Sequence, residues 1–239
     1  MRQELDFYLS PHVYCGTFGD GAILLDARTG DYLGIDSQYL PALSANIADW
    51  PTAPPAVDSD RGVEKCDELL ADLRKRGMLT TTPSSRPTMH LSDPLTSLSA
   101  IGRTRSSNNI PMRHRITFIL ALVHVLVMRR KDRLEPIINW LRRRQASLDR
   151  RTPTNMEDMS LLLSSFEFMR VWFYTANRKC LFDSLVLSVF LSLARQSCTF
   201  VIAVATKPFL AHSWVQVEQA VLNDTVEHVQ LFRPLIVVG

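Results

Sequence analysis

A stretch rich in serine, threonine and proline divides this chain of 239 residues into two parts. Between Thr80 and Pro111, seven Ser, six Thr and four Pro fill 17 of 32 positions. Such a composition offers too few apolar side chains for a packed core, and proline interrupts both helices and strands. We therefore expect two modules, at residues 1–82 and 112–239. Residues 83–111 are predicted to be a linker or a lightly tethered surface segment.

The two parts also differ in charge. Residues 1–79 carry 13 acidic and 7 basic side chains, a net charge of −6, so the +3 of the whole chain leaves +9 for residues 80–239. Much of this excess comes from nine Arg and Lys residues between Arg129 and Arg151. No aromatic residue alternates regularly with them, which is typical of a solvated helical surface and not of a single-strand binding platform. We expect no nucleic-acid partner.

Cysteine usage indicates a reducing compartment. The chain has four widely spaced cysteines and no Cys-x-x-Cys pair: Cys15, Cys66, Cys180 and Cys198. This spacing argues against both a disulfide framework and a zinc knuckle. The N-terminus shows no secretory signal, because no apolar run follows Met1–Asp6. We therefore expect a cytoplasmic protein.

The N-terminal module is predicted to combine a strand meander with helices. Tyr8–Phe18, Gly21–Asp26 and Tyr32–Ile35 have strand patterns separated by glycine-containing turns. Helices are predicted at Gln38–Trp50, behind the capping residues Asp36 and Ser37, and at Val63–Arg76, ended by Gly77. Three strands and two or three helices in about eighty residues are typical of a small winged-helix-like unit.

The C-terminal module is predicted to place its helices first and its strands afterwards. The helical patterns cover 112–134, 135–144, 156–175 and 180–195. The later segments have a period close to two and cover 198–206, 209–217, 220–222 and 235–238. Helices packed on an antiparallel sheet make this an α+β module.

The most apolar run of the chain is Ile116–Met128, with 13 residues and basic residues on both sides. A transmembrane helix needs about 20 apolar residues, so this run favours a buried helix. Weak peripheral membrane contact through this helix stays an open alternative.

Cys180 stands directly before an apolar helical run and behind Arg178 and Lys179. The positive end of a helix and neighbouring cations both lower the pKa of a thiol and favour the nucleophilic thiolate. By itself this position equally suits a packing residue. A cysteine nucleophile also needs a base and a group that orients the base.

His212 and Asp224 are candidates for those two roles. His212 lies on a predicted strand, and alternation places it on the same face as Trp214 and Gln216. If the chain reverses near Glu218, antiparallel pairing brings position 224 or 225 opposite 212–213. Asp224 could then hold the imidazole in the correct tautomer, with the amide of Asn223 as the alternative.

Other combinations of residues are less complete. Cys180, Cys198, His212 and His228 lack the close ligand pairs typical of zinc sites, so we expect no metal. Asp183, three residues after Cys180, is interpreted as a first-turn partner of the helix dipole. The phosphate-binding glycine loop ending in Lys-Ser or Lys-Thr is missing from the sequence, and we expect no other cofactor.

The order and spacing of these motifs resemble a known family. Cys180-Leu181 at a helix start, Pro208-Phe209, Ala211-His212-Ser213-Trp214-Val215 and Asn223-Asp224 recur in the same order in lasso peptide biosynthesis B proteins, the microcin J25 leader-peptidase family. The resemblance covers about residues 112–239. It implies a transglutaminase-like, papain-like cysteine protease domain with Cys180, His212 and Asp224 as the catalytic residues. Asn177 and the Cys180 backbone N–H are the candidates for the oxyanion hole.

The same resemblance implies that residues 1–82 are similar to the PqqD-like precursor-recognition domain. In that family, a leader peptide is added as a strand beside the third strand and against the last helix. Here the groove would be formed by seven residues that could equally belong to the domain core. They are Tyr32, Leu33, Gly34, Ile35, Leu69, Leu70 and Leu73.

The resemblance thus implies a peptidase that binds a lasso precursor and removes its leader at the leader–core junction. The implied partners are the precursor peptide and an asparagine-synthetase-like lasso cyclase. Two alternatives stay open at this point. One is an acyltransferase with the same three residues, and the other is a non-catalytic adaptor that binds the precursor.

Overall fold

A computed structural model describes residues 7–51, 63–83, 91–98, 110–129, 133–148, 156–174 and 180–239. The chain divides into two compact units. The N-terminal unit comprises Met1–Thr88 with Asp132–Glu135, and the C-terminal unit comprises Met89–Lys131 with Pro136–Gly239. Among the described helices, none combines the length and apolar character needed to cross a membrane.

The N-terminal unit contains two small antiparallel sheets and two α-helices. Its elements are β1 (Tyr8–Leu9), β2 (Val13–Phe18), β3 (Gly21–Asp26), β4 (Asp31–Asp36), a 3₁₀ turn (Ser37–Tyr39), α1 (Leu40–Asn46), α2 (Val63–Lys75) and β5 (Leu79–Thr80). Strands β2, β3 and β4 form the predicted meander, but the predicted first strand, Tyr8–Phe18, is divided, because Tyr8–Leu9 is the separate strand β1 and pairs with β5. Gly21 allows the close approach of β4 to the start of β3, because a Cβ there would lie 2.1 Å from the carbonyl oxygen of Ile35.

The predicted helix Gln38–Trp50 differs from the structure. Asp36 does act as the cap, since its carboxylate accepts a hydrogen bond from the backbone N–H of Gln38 at 3.0 Å. The chain then forms only a 3₁₀ turn and the short α1, which ends at Asn46. Pro41 at the first turn of α1 suits a new helix start, because proline has no N–H to donate inside a longer helix. Trp50 lies beyond the helix, buried in the core.

The C-terminal unit has the predicted α+β composition. Its elements are β6 (Thr96–Ser97), α3 (Met112–Met128), α4 (Glu135–Ala146), α5 (Met156–Arg170), α6 (Cys180–Leu193), β7 (Thr199–Thr206), β8 (Phe209–Val217), β9 (Ala220–Val221), α7 (Val226–Val229) and β10 (Arg233–Val238). The sheet order is β10-β7-β8-β9-β6, antiparallel except for the β6–β9 pair. Helices together with antiparallel sheets confirm the mixed helix–sheet class predicted from the sequence.

Helix α6 forms the centre of this unit. Every residue from Asp183 to Ser192 is buried, because α6 packs between the β7–β8 hairpin on one side and helices α3 and α5 on the other. An apolar helix of this kind is stable only when all its faces are covered. The buried position of α6 fixes where its first residue, Cys180, lies relative to β8.

Three short elements were not predicted. Strand β6 lies inside the predicted linker, where Thr96 and Ser97 pair with β9. Strand β5 and helix α7 have only two and four residues. Elements this short carry too few residues to show a periodicity in the sequence, and they form because tertiary neighbours supply their hydrogen bonds.

Candidate active site

Cys180 is the first residue of α6, as predicted, and its side chain is half-buried. Its position places the thiol at the positive end of the helix, where unpaired backbone N–H groups stabilise an anion. The neighbouring Asn177, Arg178 and Lys179 lie outside the described residues. The predictions that assign them to the oxyanion hole and to thiolate stabilisation therefore stay predictions.

His212 lies in the middle of β8, opposite Ala203 of β7. Its imidazole is flanked by aromatic rings, with centroid distances of 6.2 Å to Trp214 and 5.0 Å to Phe232. These rings shield one side of the imidazole from water and leave it few alternative positions. Trp214 itself is buried in the small core between the sheet and α7.

The β8–β9 hairpin brings Asp224 to His212. The paired residues are Gln216 with Val221 and Val217 with Ala220, and Leu222 continues the same register by donating to the carbonyl of Val215 at 2.9 Å. This is the reversal anticipated near Glu218, whose φ of 52° allows the tight turn. Continued to the next residues, this register places Asp224 beside the His212 end of β8. The Asp224 Oδ2 atom accepts a hydrogen bond from His212 Nε2.

The thiol, the imidazole and the carboxylate form one chain of hydrogen bonds. Because Nε2 of His212 faces Asp224, Nδ1 is the nitrogen that remains for the thiol. The hydrogen bond to His212 lowers the pKa of Cys180 and outweighs the opposing effect of burial. Burial opposes a charged His212, but the hydrogen bonds to Asp224 and Cys180 outweigh burial and raise the pKa of His212 to about 9. The lowered pKa of the thiol and the raised pKa of the imidazole both shift the balance from the neutral pair towards a thiolate–imidazolium pair.

Asp224 has further hydrogen-bond donors. Its carboxylate accepts from the backbone N–H of Thr225 at 2.7 Å and contacts His228 Nδ1 at 2.9 Å. Burial disfavours the carboxylate, yet these donors and His212 lower the pKa of Asp224 below its ordinary value. His228 was missed as a site residue, although its spacing of four residues from Asp224 places both on one face of a helical turn.

The side chains of His212, Asp224 and His228 could also hold a metal ion. One ligand atom from each lies within 4.8 Å of the others. Two imidazoles and a carboxylate are suitable zinc ligands. A bound metal would have to replace the hydrogen bonds that connect Asp224 with the two histidines. These three side chains are therefore better suited to binding an added metal ion that inhibits the site than to holding a permanent metal cofactor.

A buried polar network joins the Asp224 turn to the first turn of α6. Asn223 donates to Asp183 Oδ2 at 3.2 Å and to Ser184 Oγ at 2.9 Å, and its own Oδ1 accepts from the backbone N–H of Val215 at 2.9 Å. The amide therefore supports the hairpin, and Asp224, not Asn223, contacts His212. The network ties the residue next to Asp224 to the helix that bears Cys180.

Asp183 lies in the first turn of α6, as predicted, and also has a partner that was not predicted. It is buried, and Arg170 of α5 contacts both carboxylate oxygens at 3.2 Å. Arg170 also pairs with Glu167 at 2.6 Å. The sequence could not show this ion pair, because the partners lie 13 residues apart on different helices. Asp183 thus fixes the first turn of α6 through α5 as well as through the helix dipole.

Asp183→Ala is expected to lower the free energy of unfolding by about 3 kcal/mol, because the Arg170 guanidinium and the Asn223 amide lose their shared carboxylate in a buried site. Urea unfolding followed by tryptophan fluorescence would measure the loss. Asp158→Ala is a matched control, since this exposed carboxylate in the first turn of α5 should contribute less than about 1 kcal/mol. Equal midpoints for the two variants would contradict a stabilising role for the network.

The residues predicted to bind a leader peptide lie in the N-terminal unit. Strand β4 pairs with β3 and, among the described strands, with no other on its second side. Tyr32, Leu33 and Leu69 are half-buried, and Gly34 is exposed. The side chains of Ile35, Leu70 and Leu73 belong to the buried core. In this structure, those three support the strand and helix and do not line an open groove.

Comparison with protein families identifies the domain that contains this site. Residues 121–237 match the model of the transglutaminase-like superfamily. This range begins within α3, ends in β10 and includes Cys180, His212 and Asp224. The C-terminal part of the chain is therefore a transglutaminase-like domain, a type of domain typical of cysteine proteases and acyltransferases, which supports a catalytic role. Comparisons with curated proteins and with solved structures gave no significant match.

Proposed function

We propose that this transglutaminase-like domain is a cysteine peptidase that removes the leader from a ribosomally made lasso peptide precursor. The observation that carries the proposal is the hydrogen-bonded series from Cys180 through His212 to Asp224. A thiolate nucleophile, a base that exchanges protons with it and a carboxylate that orients the base are the groups that acyl transfer requires.

In the first step, the Cys180 thiolate attacks the carbonyl carbon at the leader–core junction. A carbon–sulfur bond forms, the peptide carbon–nitrogen bond breaks, and His212 gives its proton to the leaving amine of the core peptide. The leader stays attached to Cys180 as a thioester. The backbone N–H of Cys180 and the start of α6 are the available donors for the negative charge on the carbonyl oxygen.

In the second step, water attacks the thioester carbonyl and gives a proton to His212. The carbon–sulfur bond breaks, the leader leaves with a new carboxyl group, and the thiolate–imidazolium pair is restored. Asp224 stabilises the imidazolium in both steps and keeps Nδ1 directed at the sulfur. No metal or organic cofactor enters this reaction.

The N-terminal unit would capture the leader as an added strand along β4. Strand addition supplies affinity through backbone hydrogen bonds, without a specific side-chain set. Tyr32, Leu33 and Leu69 have accessible surface for side-chain contacts. This recognition role and its likeness to a PqqD-like domain belong to the proposal. An asparagine-synthetase-like cyclase would then use the amine freed by cleavage.

An acyltransferase is the second candidate, because transglutaminase-like domains include that class. Its first step would be identical, but an amine would accept the acyl group from Cys180 in place of water. An adaptor without catalysis is the third. It is less consistent with a thiol whose pKa is lowered by a histidine, since binding alone needs no thiolate.

The full chain incubated with the lasso precursor encoded beside its gene should release two peptides, whose summed masses exceed the precursor mass by one water molecule. Mass spectrometry gives the cleavage site and separates the candidates. A product that contains an added amine and no water would favour the acyltransferase. An unchanged precursor that nevertheless binds the chain would favour the adaptor, and a gene neighbourhood with no precursor would count against the proposal.

A further inference from the structure

One face of α3 is apolar and exposed along the whole helix. Seven residues on this face keep between 38 and 66% of their surface accessible. They are Met112, Ile116, Ile119, Leu120, Val123, Leu126 and Val127. We call these seven residues the outer face of α3. An apolar stripe of this length on one helix is unusual for a surface that contacts only water.

The outer face lies on the opposite side of α3 from the residues that pack against the rest of the C-terminal unit. At 100° per residue, its seven positions fall within an arc of about 120°. The buried residues Phe118, Ala121, Leu122 and Val125 occupy the other side, which packs against α5 and α6. Helix α3 is therefore apolar on both sides, and helices of that kind are normally covered on both sides. Within the described part of the chain, the outer face is the side of α3 that stays exposed.

Positive charges border the outer face. Arg113 and Arg115 are exposed and lie on opposite edges of the stripe, and Arg129 follows the last turn of the helix. Helix α3 contains no acidic residue. A stripe of aliphatic side chains with cations along its borders and no anion complements an anionic lipid surface, where the cations meet headgroups and the apolar residues meet acyl chains.

Exposed aromatic residues lie beside α3. Phe173 packs against Phe118 of α3 with a ring distance of 5.5 Å and is itself half exposed, so the end of α5 is adjacent to α3. Trp172 precedes Phe173 in the chain and is 76% accessible, and its ring lies 6.5 Å from that of the exposed Phe168. Exposed tryptophan and phenylalanine are the aromatic residues that favour the boundary between headgroups and acyl chains.

We propose that the outer face of α3 docks the C-terminal unit on an anionic lipid surface. The helix of 17 residues would lie along the surface for about 25 Å and would not cross it. A second copy of the chain would suit the apolar stripe equally well, but two copies would bring the same arginines towards each other. The charge pattern therefore favours lipid. The inference does not depend on peptidase activity, because none of its residues belongs to the Cys180 site.

Co-sedimentation with vesicles would test the proposal. The full chain should bind vesicles of phosphatidylcholine with 30% phosphatidylserine, and binding should fall as salt is raised. The Arg113→Gln, Arg115→Gln double variant should bind about 20- to 30-fold more weakly, at about fivefold per cation. Arg143→Gln with Arg195→Gln, which removes two exposed cations from other elements, should bind like the parent.

A second double variant tests how much the apolar residues of the outer face contribute to vesicle binding. Leu120→Gln with Val123→Gln changes exposed residues, so the fold should persist, as circular dichroism and thermal unfolding would verify. This variant should lose vesicle binding by more than tenfold. The proposal would be overturned by equal binding to vesicles of phosphatidylcholine alone, or by no vesicle binding at all. It would also be overturned by dimerisation that Leu120→Gln with Val123→Gln abolishes while vesicle binding persists.

Discussion

Cys180→Ala is expected to reduce leader removal by at least about 10³-fold while leaving binding of the precursor unchanged. The loss follows because no other thiol lies at the His212 imidazole, and without a nucleophile the acyl-enzyme cannot form. Precursor binding should persist, because β4 belongs to the N-terminal unit and contains no part of the Cys180 site. Precursor consumption by mass spectrometry and binding by fluorescence anisotropy would measure the two quantities.

Cys15→Ala is the matched control for this substitution. Cys15 is also a half-buried free thiol, but it lies on β2 of the N-terminal unit. Its replacement should leave cleavage within about twofold of the parent. Retained cleavage by Cys180→Ala would refute the peptidase assignment. Loss of cleavage together with loss of precursor binding would instead point to misfolding, which thermal unfolding of the variant would detect.

His212→Ala is expected to reduce cleavage by about 10³-fold as well, and also to change the chemistry of Cys180. In the parent, the hydrogen bond to His212 favours the thiolate and lowers the pKa of Cys180. Without the imidazole, the largest of the effects that lower the pKa of the thiol is lost, so this pKa should rise. Alkylation by iodoacetamide, followed across pH by mass spectrometry, should therefore begin at higher pH in the variant.

The pH dependence of cleavage follows from the lowered pKa of Cys180 and the raised pKa of His212. Cleavage needs the Cys180 thiolate, so activity should rise with pH through the lowered pKa of the thiol. It also needs the protonated His212, so activity should fall again as pH passes about 9. The two groups titrate as a coupled pair, and the pH profile reports the pair.

His228→Ala is the control for the loss of a histidine at this site. His228 is exposed and contacts Asp224 but has no direct role in proton transfer in the proposed mechanism. Its removal should cost far less activity than His212→Ala and should leave the alkylation profile of Cys180 nearly unchanged. A larger effect from His228→Ala than from His212→Ala would show that the base has been misassigned.

Much of the C-terminal unit could be predicted because its elements are long and their patterns are local. Helix α6 is a long and largely apolar segment. The reversal near Glu218, with position 224 or 225 opposite 212–213, followed from counting residues along the β8–β9 hairpin. The N-terminal meander was predictable for the same reason, because glycines occupy its turns. In contrast, α1 is shorter than predicted, because Pro41 lies inside the apolar pattern and favours a new helix start there.

The buried network around Asp183 could not be predicted in the same way. Its members belong to α5, α6 and the segment after β9, and no periodicity relates residues on different elements. The same holds for β6, whose two residues become a strand only because β9 lies beside them. Whether Leu70 and Leu73 face a groove or the core was also undecided until the packing of the N-terminal unit was known.

The sequence by itself determined most of the longer helices and strands, which residues could carry acyl-transfer chemistry, and that position 224 or 225 of the hairpin would lie opposite 212–213. Those properties depend on spacing along the chain, and spacing is fully present in the sequence. Only the tertiary structure decided that hydrogen bonds join Cys180 to His212 and His212 to Asp224, that Asp183 is held by Arg170, and that one side of α3 is exposed in the part of the chain that the structure describes. Proton affinity and exposure depend on what surrounds each side chain, and those surroundings come from distant parts of the chain.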